Sequence, residues 1–218
     1  MNTALDFIRA HTRETVLPFL PELKLALGEN MEALWKETDL FTGDPEGEPP
    51  FWAFAWAGGM GLARYILDNP EVVAGKRVLD FAAGSGLVGL AAAKAGAAKV
   101  YSCDIDPLAC EAAQLNAEQN NVKLAPYTVS NLKSPPQKID LILAGDVCYD
   151  HLMAHRVLAW LRICVGEAGI PVLIGDPGRG YMPKEAVRER ATLTVPTLLD
   201  LEDLPERSVH ILEITGYK

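Results

Sequence analysis

Long apolar runs are missing from this sequence. The longest clearly apolar uncharged stretch, Phe51 to Ala63, has 13 residues and three glycines. A membrane-crossing helix needs about 18, so no membrane partner is expected. The N-terminus has no secretory pattern, because Asp6, Arg9, Arg13 and Glu14 interrupt any apolar segment. Asp6 and Glu14 also argue against an organelle transit peptide, and a cytoplasmic location is expected. Cysteine is sparse: Cys103, Cys110, Cys148 and Cys164 form no CxxC pair. They read as reduced structural thiols, with no zinc site. His151 and His155 stand four apart but lack a metal-binding pattern, so no metal is expected. Positive charge is in deficit, with 20 Lys+Arg against 29 Asp+Glu and a net charge of −9. That excludes general nucleic-acid binding, which needs a basic footprint, and suits a basic protein surface.

What is present is a core-forming composition: 49% of 218 residues are hydrophobic and 22% charged. Residues 1–40 carry helix-spaced leucines, Leu5, Ile8, Val16, Leu20, Leu23 and Leu27, punctuated by Pro18 and Pro21. Gly43 to Pro50, GDPEGEPP, marks a boundary. The expected organisation is an N-terminal helical extension over 1–48 and a main domain over 49–218. Residues 59–68 form a helix ended by Asn69-Pro70. From Lys76 the chain alternates. Strands are expected at 77–81, 99–104, 123–130, 139–146 and 171–176, with helices at 87–96, from Pro107, and at 151–165. The tail holds strands at 208–216 and 192–199. This order predicts an α/β fold: a doubly wound, Rossmann-like sheet of seven strands, mostly parallel, with an antiparallel C-terminal edge.

The chemistry concentrates at strand ends. Asp80-Phe81-Ala82-Ala83-Gly84-Ser85-Gly86 leads from the first strand into a helix. Glycines there let a backbone approach a ligand closely. Gly84 to Gly89 also matches GxGxxG, which alone is weak. Asp104 ends the second strand and suits the hydroxyls of a ribose. Asp106, before Pro107, reads as a helix cap. An NAD(P) oxidoreductase shares these features. Its pyrophosphate would be opposed by Asp80, whereas a sulfonium cofactor carries an α-amino group that welcomes an acid. Asp80 therefore favours S-adenosyl-L-methionine. The segment resembles the acid-x-Gly-x-Gly-x-Gly motif of seven-strand methyltransferases, with Ala82 in the first glycine slot.

Asp146-Val147-Cys148-Tyr149 resembles the DxxY signature of the protein-lysine branch of that class. PPFWAFAWAGGMGLARYILDNP (49–70), VYSCDIDPLACEAAQLN (100–116) and VLIGDPGR (172–179) are similar to the electron transfer flavoprotein β-subunit lysine methyltransferases. The resemblance covers roughly 49–180. It implies that Asp80, Ala82, Gly84, Gly86, Asp104 and Ile105 hold the cofactor, with Asn131 at the adenine edge and Trp56 and Asp146 beside it. It further implies that Asp146 and Tyr149 line the lysine channel as catalytic residues, with Trp52, Asp176 and Arg179 on the substrate rim. The implied partner is the flavoprotein β-subunit. Read from residue types alone, Trp52 and Trp56 also fit plain core packing, Asp146 a strand-end cap, and Tyr149 a packed aromatic. A methyltransferase acting on another protein or a small molecule would keep the same cofactor residues.

Overall fold

β-Branched and leucine-rich pentapeptides build the centre of this protein. A computed structural model describes residues 3–183, 185–197 and 204–215. The central strands are β3 (Arg77–Phe81), β4 (Lys99–Cys103), β5 (Leu124–Pro126), β6 (Leu141–Gly145) and β7 (Val172–Asp176). All pair in parallel, β5-β4-β3-β6-β7. In β3 and β6 consecutive side chains alternate between two buried faces, so these strands read as continuous apolar runs. Val78, Leu141 and Leu143 face one core, and Leu79, Ile142 and Ala144 the other. The tail adds β8 (Val187–Pro196) and β9 (Glu206–Ile214), both antiparallel, in the order β7-β9-β8. The expected mixed sheet of seven strands is therefore present. Positions 198–199 and 216, which the expected tail strands included, lie outside the described residues.

Helices cover both faces. α3 (Ala57–Asp68), α4 (Leu87–Lys94) and α5 (Pro107–Gln119) close one, and α6 (His151–Ala168) the other. Asp106 caps α5 by accepting the Leu108 N–H at 2.8 Å, and Pro107 opens its first turn, where a missing N–H costs nothing. Asp150 caps α6 through the Met153 N–H.

The N-terminal stretch departs from expectation, because it is not helical throughout. α1 (Ala4–His11) starts on a Thr3/Asp6 capping box. β1 (Arg13–Val16) and β2 (Lys24–Leu27) then form an antiparallel hairpin, and α2 (Met31–Thr42) follows. Pro18 and Pro21 remove the amides that a helix would need there, so the leucines fold into turns and a strand. Leu20, Leu23, Leu25 and Leu27 enter the core beneath α3 and α5. Phe7, Ile8 and Leu34 pack with Trp52 and Phe54 against α5.

Candidate active site

In an open α/β sheet, ligands gather beyond the carboxyl ends of the strands, where the strand order reverses. Here that point lies between β3 and β6. The turn after β3 is strongly left-handed: Ala82, Gly84 and Gly86 have φ of 52°, 52° and 78°. A side chain on Gly86 would collide with Ala113 of α5. Gly84 faces open space, with only the Trp52 Cα near, at 3.8 Å from a hypothetical Cβ. Ala82 sits in the left-handed region that glycine adopts without strain.

Two acids hold this turn. Asp80, 1% exposed, lies beneath it and accepts the Gly89 N–H at 2.8 Å. Burial, aided by the charge of Asp104, pushes its carboxyl up to about 8 against the pull of that amide. Asp104 is half-buried and takes the Gly84 N–H on Oδ2 at 2.8 Å and the Asp106 N–H on Oδ1 at 3.0 Å. Each oxygen thus keeps a lone pair. Ile105, beside it, is 99% exposed. A bare apolar side chain, a carboxylate with acceptor capacity and an open glycine fit a nucleoside: a base face, sugar hydroxyls and a close backbone. Asn131 lies in an exposed turn past the end of β5. Its Oδ1 accepts the Lys133 N–H at 2.9 Å.

The opposite wall is built by the 51–59 segment. Asp146, at the end of β6 with φ 54°, is 8% exposed. Its Oδ2 accepts the N–H groups of Gly58 and Gly59, the latter at 3.1 Å. It therefore caps α3, whose own N-cap, Trp56, offers no side-chain acceptor. Its Oδ1 pairs with Arg179, Nη2 at 3.1 Å and Nε at 3.4 Å. Both oxygens of Asp146, expected to line the lysine channel, thus carry partners in this structure. Burial raises its carboxyl to about 6, against Arg179 and the two amides. The contact exists because three glycines, Gly58, Gly145 and Gly175, permit it. A Cβ on Gly58 would stand 2.3 Å from the Gly175 carbonyl, and one on Gly145 2.7 Å from Gly59 Cα.

Trp56 is half-buried and donates its indole N–H to the Phe51 carbonyl at 2.9 Å. The Phe51 ring lies 5.7 Å from Trp56 and 5.4 Å from Tyr149, centroid to centroid. Phe51 is the residue sequence reasoning passed over; its position in the FWAFAW segment was the only signal. Tyr149 is 43% exposed. Trp52 does not reach the rim: at 1% exposure it is core, packed with Phe7 and Leu34, and its indole N–H has no partner. Asp176, 2% exposed, ends β7. Its Oδ2 accepts the N–H groups of Gly178 and Arg179 at 2.9 and 3.0 Å, while its buried Oδ1 has no partner. Cys103, Cys148 and Cys164 are buried free thiols, and burial pushes the last two up to about 12.

Comparison with known proteins follows this geometry. A family model described as ribosomal protein L11 methyltransferase (PrmA) matches residues 63–148. Two solved structures share the fold. One is a ribosomal protein L11 methylase from Lactobacillus delbrueckii subsp. bulgaricus, with TM-score 0.53 and 20% identity, covering 75% of this chain and 81% of that one. The other is a magnesium protoporphyrin IX methyltransferase from Synechocystis PCC 6803 with bound SAM, with TM-score 0.50 and 18% identity, covering 73% and 80%. Among curated relatives, the electron transfer flavoprotein beta subunit lysine methyltransferase of Danio rerio is 41% identical over 77% of this chain, and the match spans 64% of that protein. The Caenorhabditis elegans homolog is 31% identical over 87% of this chain and 83% of its own length. The Xenopus laevis protein of the same name is 41% identical over 84% of this chain and 73% of its own length. With identity at that level across most of both proteins, and the crevice between β3 and β6 intact, this chain belongs to the electron transfer flavoprotein beta subunit lysine methyltransferase family.

Proposed function

We propose that this protein is an S-adenosylmethionine-dependent protein-lysine N-methyltransferase whose substrate is the electron transfer flavoprotein β-subunit. The observation that carries the reading is the 41% identity to relatives of that name across most of the chain. The bound cofactor supplies an activated methyl group on a sulfonium. Asp104 would receive its ribose hydroxyls, Ile105 would cover its adenine, and the Ala82–Gly86 turn would approach its amino-acid end. Asp80, beneath the turn, would act by holding the start of α4. Asn131, exposed after β5, would contact the adenine edge through its amide.

Transfer needs a nitrogen lone pair presented in line, so positioning is the main lever. Phe51, Trp56 and Tyr149 would form the walls of the lysine channel. Aromatic walls exclude water and favour the neutral amine over its ammonium. Asp146 would fix the start of α3, and with it Trp56, while offering one oxygen to the lysine nitrogen. Asp176 and Arg179 would border the entrance. The net charge of −9 suits a basic target segment. Four free cysteines fit a reducing compartment, which we read as the cytoplasm. Among the described residues no helix is long and apolar enough to cross a membrane.

A second reading, methylation of another protein, draws on the L11 methyltransferase match over 63–148. Incubation with methyl-labelled S-adenosylmethionine and cell extract separates the two. Label is expected on a band that mass spectrometry identifies as the flavoprotein β-subunit. Label confined to a ribosomal protein would establish the second reading instead.

A further inference from the structure

Asp146 is the carboxylate best placed for a lysine, yet it has no idle oxygen. This inference rests on the lysine-methyltransferase reading above. Oδ2 is filled by the start of α3 and Oδ1 by Arg179. The surroundings nevertheless suit an incoming cation. Tyr149, half-exposed at the mouth, has its hydroxyl held in the neutral form by burial and then by the negative charges of Glu48, Asp104, Asp150 and Asp146. A mouth of that sign draws an ammonium inward. It leads to a site where a cation already sits.

We propose that Arg179 is a resident cation on the ammonium subsite at Asp146 Oδ1, and that it exchanges there with the substrate lysine. Three observations support an exchange. Arg179 lies beyond the end of β7, in the 177–183 connection, and its backbone N–H is held by Asp176 Oδ2 at 3.0 Å. The turn is therefore held by its backbone, independently of where the side chain pairs. Second, an acceptor waits for the departing guanidinium. Gly145 pairs with Gly175 across β6 and β7, so Asp146 and Asp176 end adjacent strands, and Asp176 Oδ1 is buried without a hydrogen-bond partner among the described residues. Third, a swap of one cation for another never leaves the buried Asp146 carboxylate unpaired, the step that makes broken buried ion pairs costly. The Arg179 side chain is 24% exposed against 9% for Asp146, so the cation is the solvent-facing member of the pair.

The test uses n-butylammonium as a lysine side-chain probe, titrated into the free enzyme and read by the NMR signals of Tyr149 and Trp56. Arg179→Met is expected to bind the probe at least tenfold more tightly than the parent. Arg179→Lys, which retains a resident cation, is expected to stay within threefold of it. The gain should vanish in Arg179→Met combined with Asp146→Asn. An Arg179→Met protein that binds no more tightly, or whose gain survives the loss of the Asp146 charge, overturns the exchange. Arg179→Gln serves if the methionine variant does not fold. In steady-state transfer to the protein substrate, Arg179→Met should lower KM at least threefold. A raised KM would make Arg179 a direct substrate contact and reject the proposal. Absence of lysine methylation by the parent enzyme would reject the methyltransferase reading, whereas the amine titration judges the exchange alone.

Discussion

Ala82 occupies a left-handed backbone position, φ 52°, in the first glycine slot of the cofactor turn. For a residue with a Cβ this conformation costs about 1 kcal/mol or more. Glycine would relieve it and lose some of the gain to the entropy of the unfolded chain. Ala82→Gly is therefore expected to raise the melting temperature by roughly 2 °C, measured by calorimetry on the ligand-free protein. A lower melting temperature would mean that the Ala82 methyl contributes more by packing than its backbone costs. Asp80 makes the second residue-scale prediction. Its native carboxyl is raised to about 8, mainly by burial, while the unfolded chain releases that proton near pH 4. Between those values the native state binds more protons than the unfolded state, so stability falls as pH rises. The decline belongs to the window from about pH 4 to about pH 8 and saturates above it. Asp80→Asn should flatten the pH dependence of urea midpoints between pH 5 and pH 8. An unchanged slope would assign the decline to another group.

At the scale of elements, two side-chain amides of α5 hold the N-terminal hairpin, and one of them also reaches the turn after β3. Asn116, fully buried on α5, accepts the Ala26 N–H at 2.7 Å and donates to the Ser85 carbonyl at 2.8 Å. One turn later Asn120 accepts the Lys24 N–H at 3.0 Å and donates to its carbonyl at 2.6 Å. β2 thus meets asparagines along the edge where a sheet would supply another strand. Asn116→Leu leaves a buried N–H and a buried carbonyl unpaired, at about 1–3 kcal/mol. Urea unfolding should show that loss, and amide exchange at Ala26 should accelerate. Unaltered protection at Ala26 would mean that the hairpin docks by its leucines alone. The hairpin also shows what a sequence conceals. Strand and helix over 77–176 were legible because β3, β6 and β7 are short apolar runs ended by a turn, and α5 opens on an aspartate cap and a proline. In residues 13–27 leucine spacing imitated a helix, and only Pro18 and Pro21 hinted otherwise. The glycine turn, Asp104 and the Asp106 cap were legible from local order. The Asp146–Arg179 pair and the seat of Gly58 on Gly175 were not, because they join residues 33 and 117 positions apart. Trp52 and Phe51, adjacent in sequence, part ways: a single 3₁₀ turn over Phe51–Ala53 accompanies the first in the core and the second beside Trp56 and Tyr149.

For the whole molecule, sheet order and chemistry converge at one place. The strand order reverses beside β3, and the cofactor turn, Asp104, Asp146 and the aromatic wall all stand at that end of the sheet. The antiparallel pair β8–β9 extends the far edge beyond β7, so the Arg179 turn borders the same crevice. The whole chain carries a net charge of −9, the sign that draws a lysine-bearing surface and repels nucleic acid. The most direct test of the proposed activity is methyl transfer to the purified electron transfer flavoprotein β-subunit, read by mass spectrometry of its lysines. The intact protein is expected to add methyl groups to lysine side chains only when S-adenosylmethionine is present. Asp104→Ala, which removes the proposed ribose acceptor, should bind the cofactor roughly 30-fold or more weakly by calorimetry, the scale of leaving buried polar groups unpaired, and transfer correspondingly less at limiting cofactor. A β-subunit whose lysines stay unmodified under saturating cofactor, with the enzyme folded and the cofactor bound, would contradict the proposed substrate.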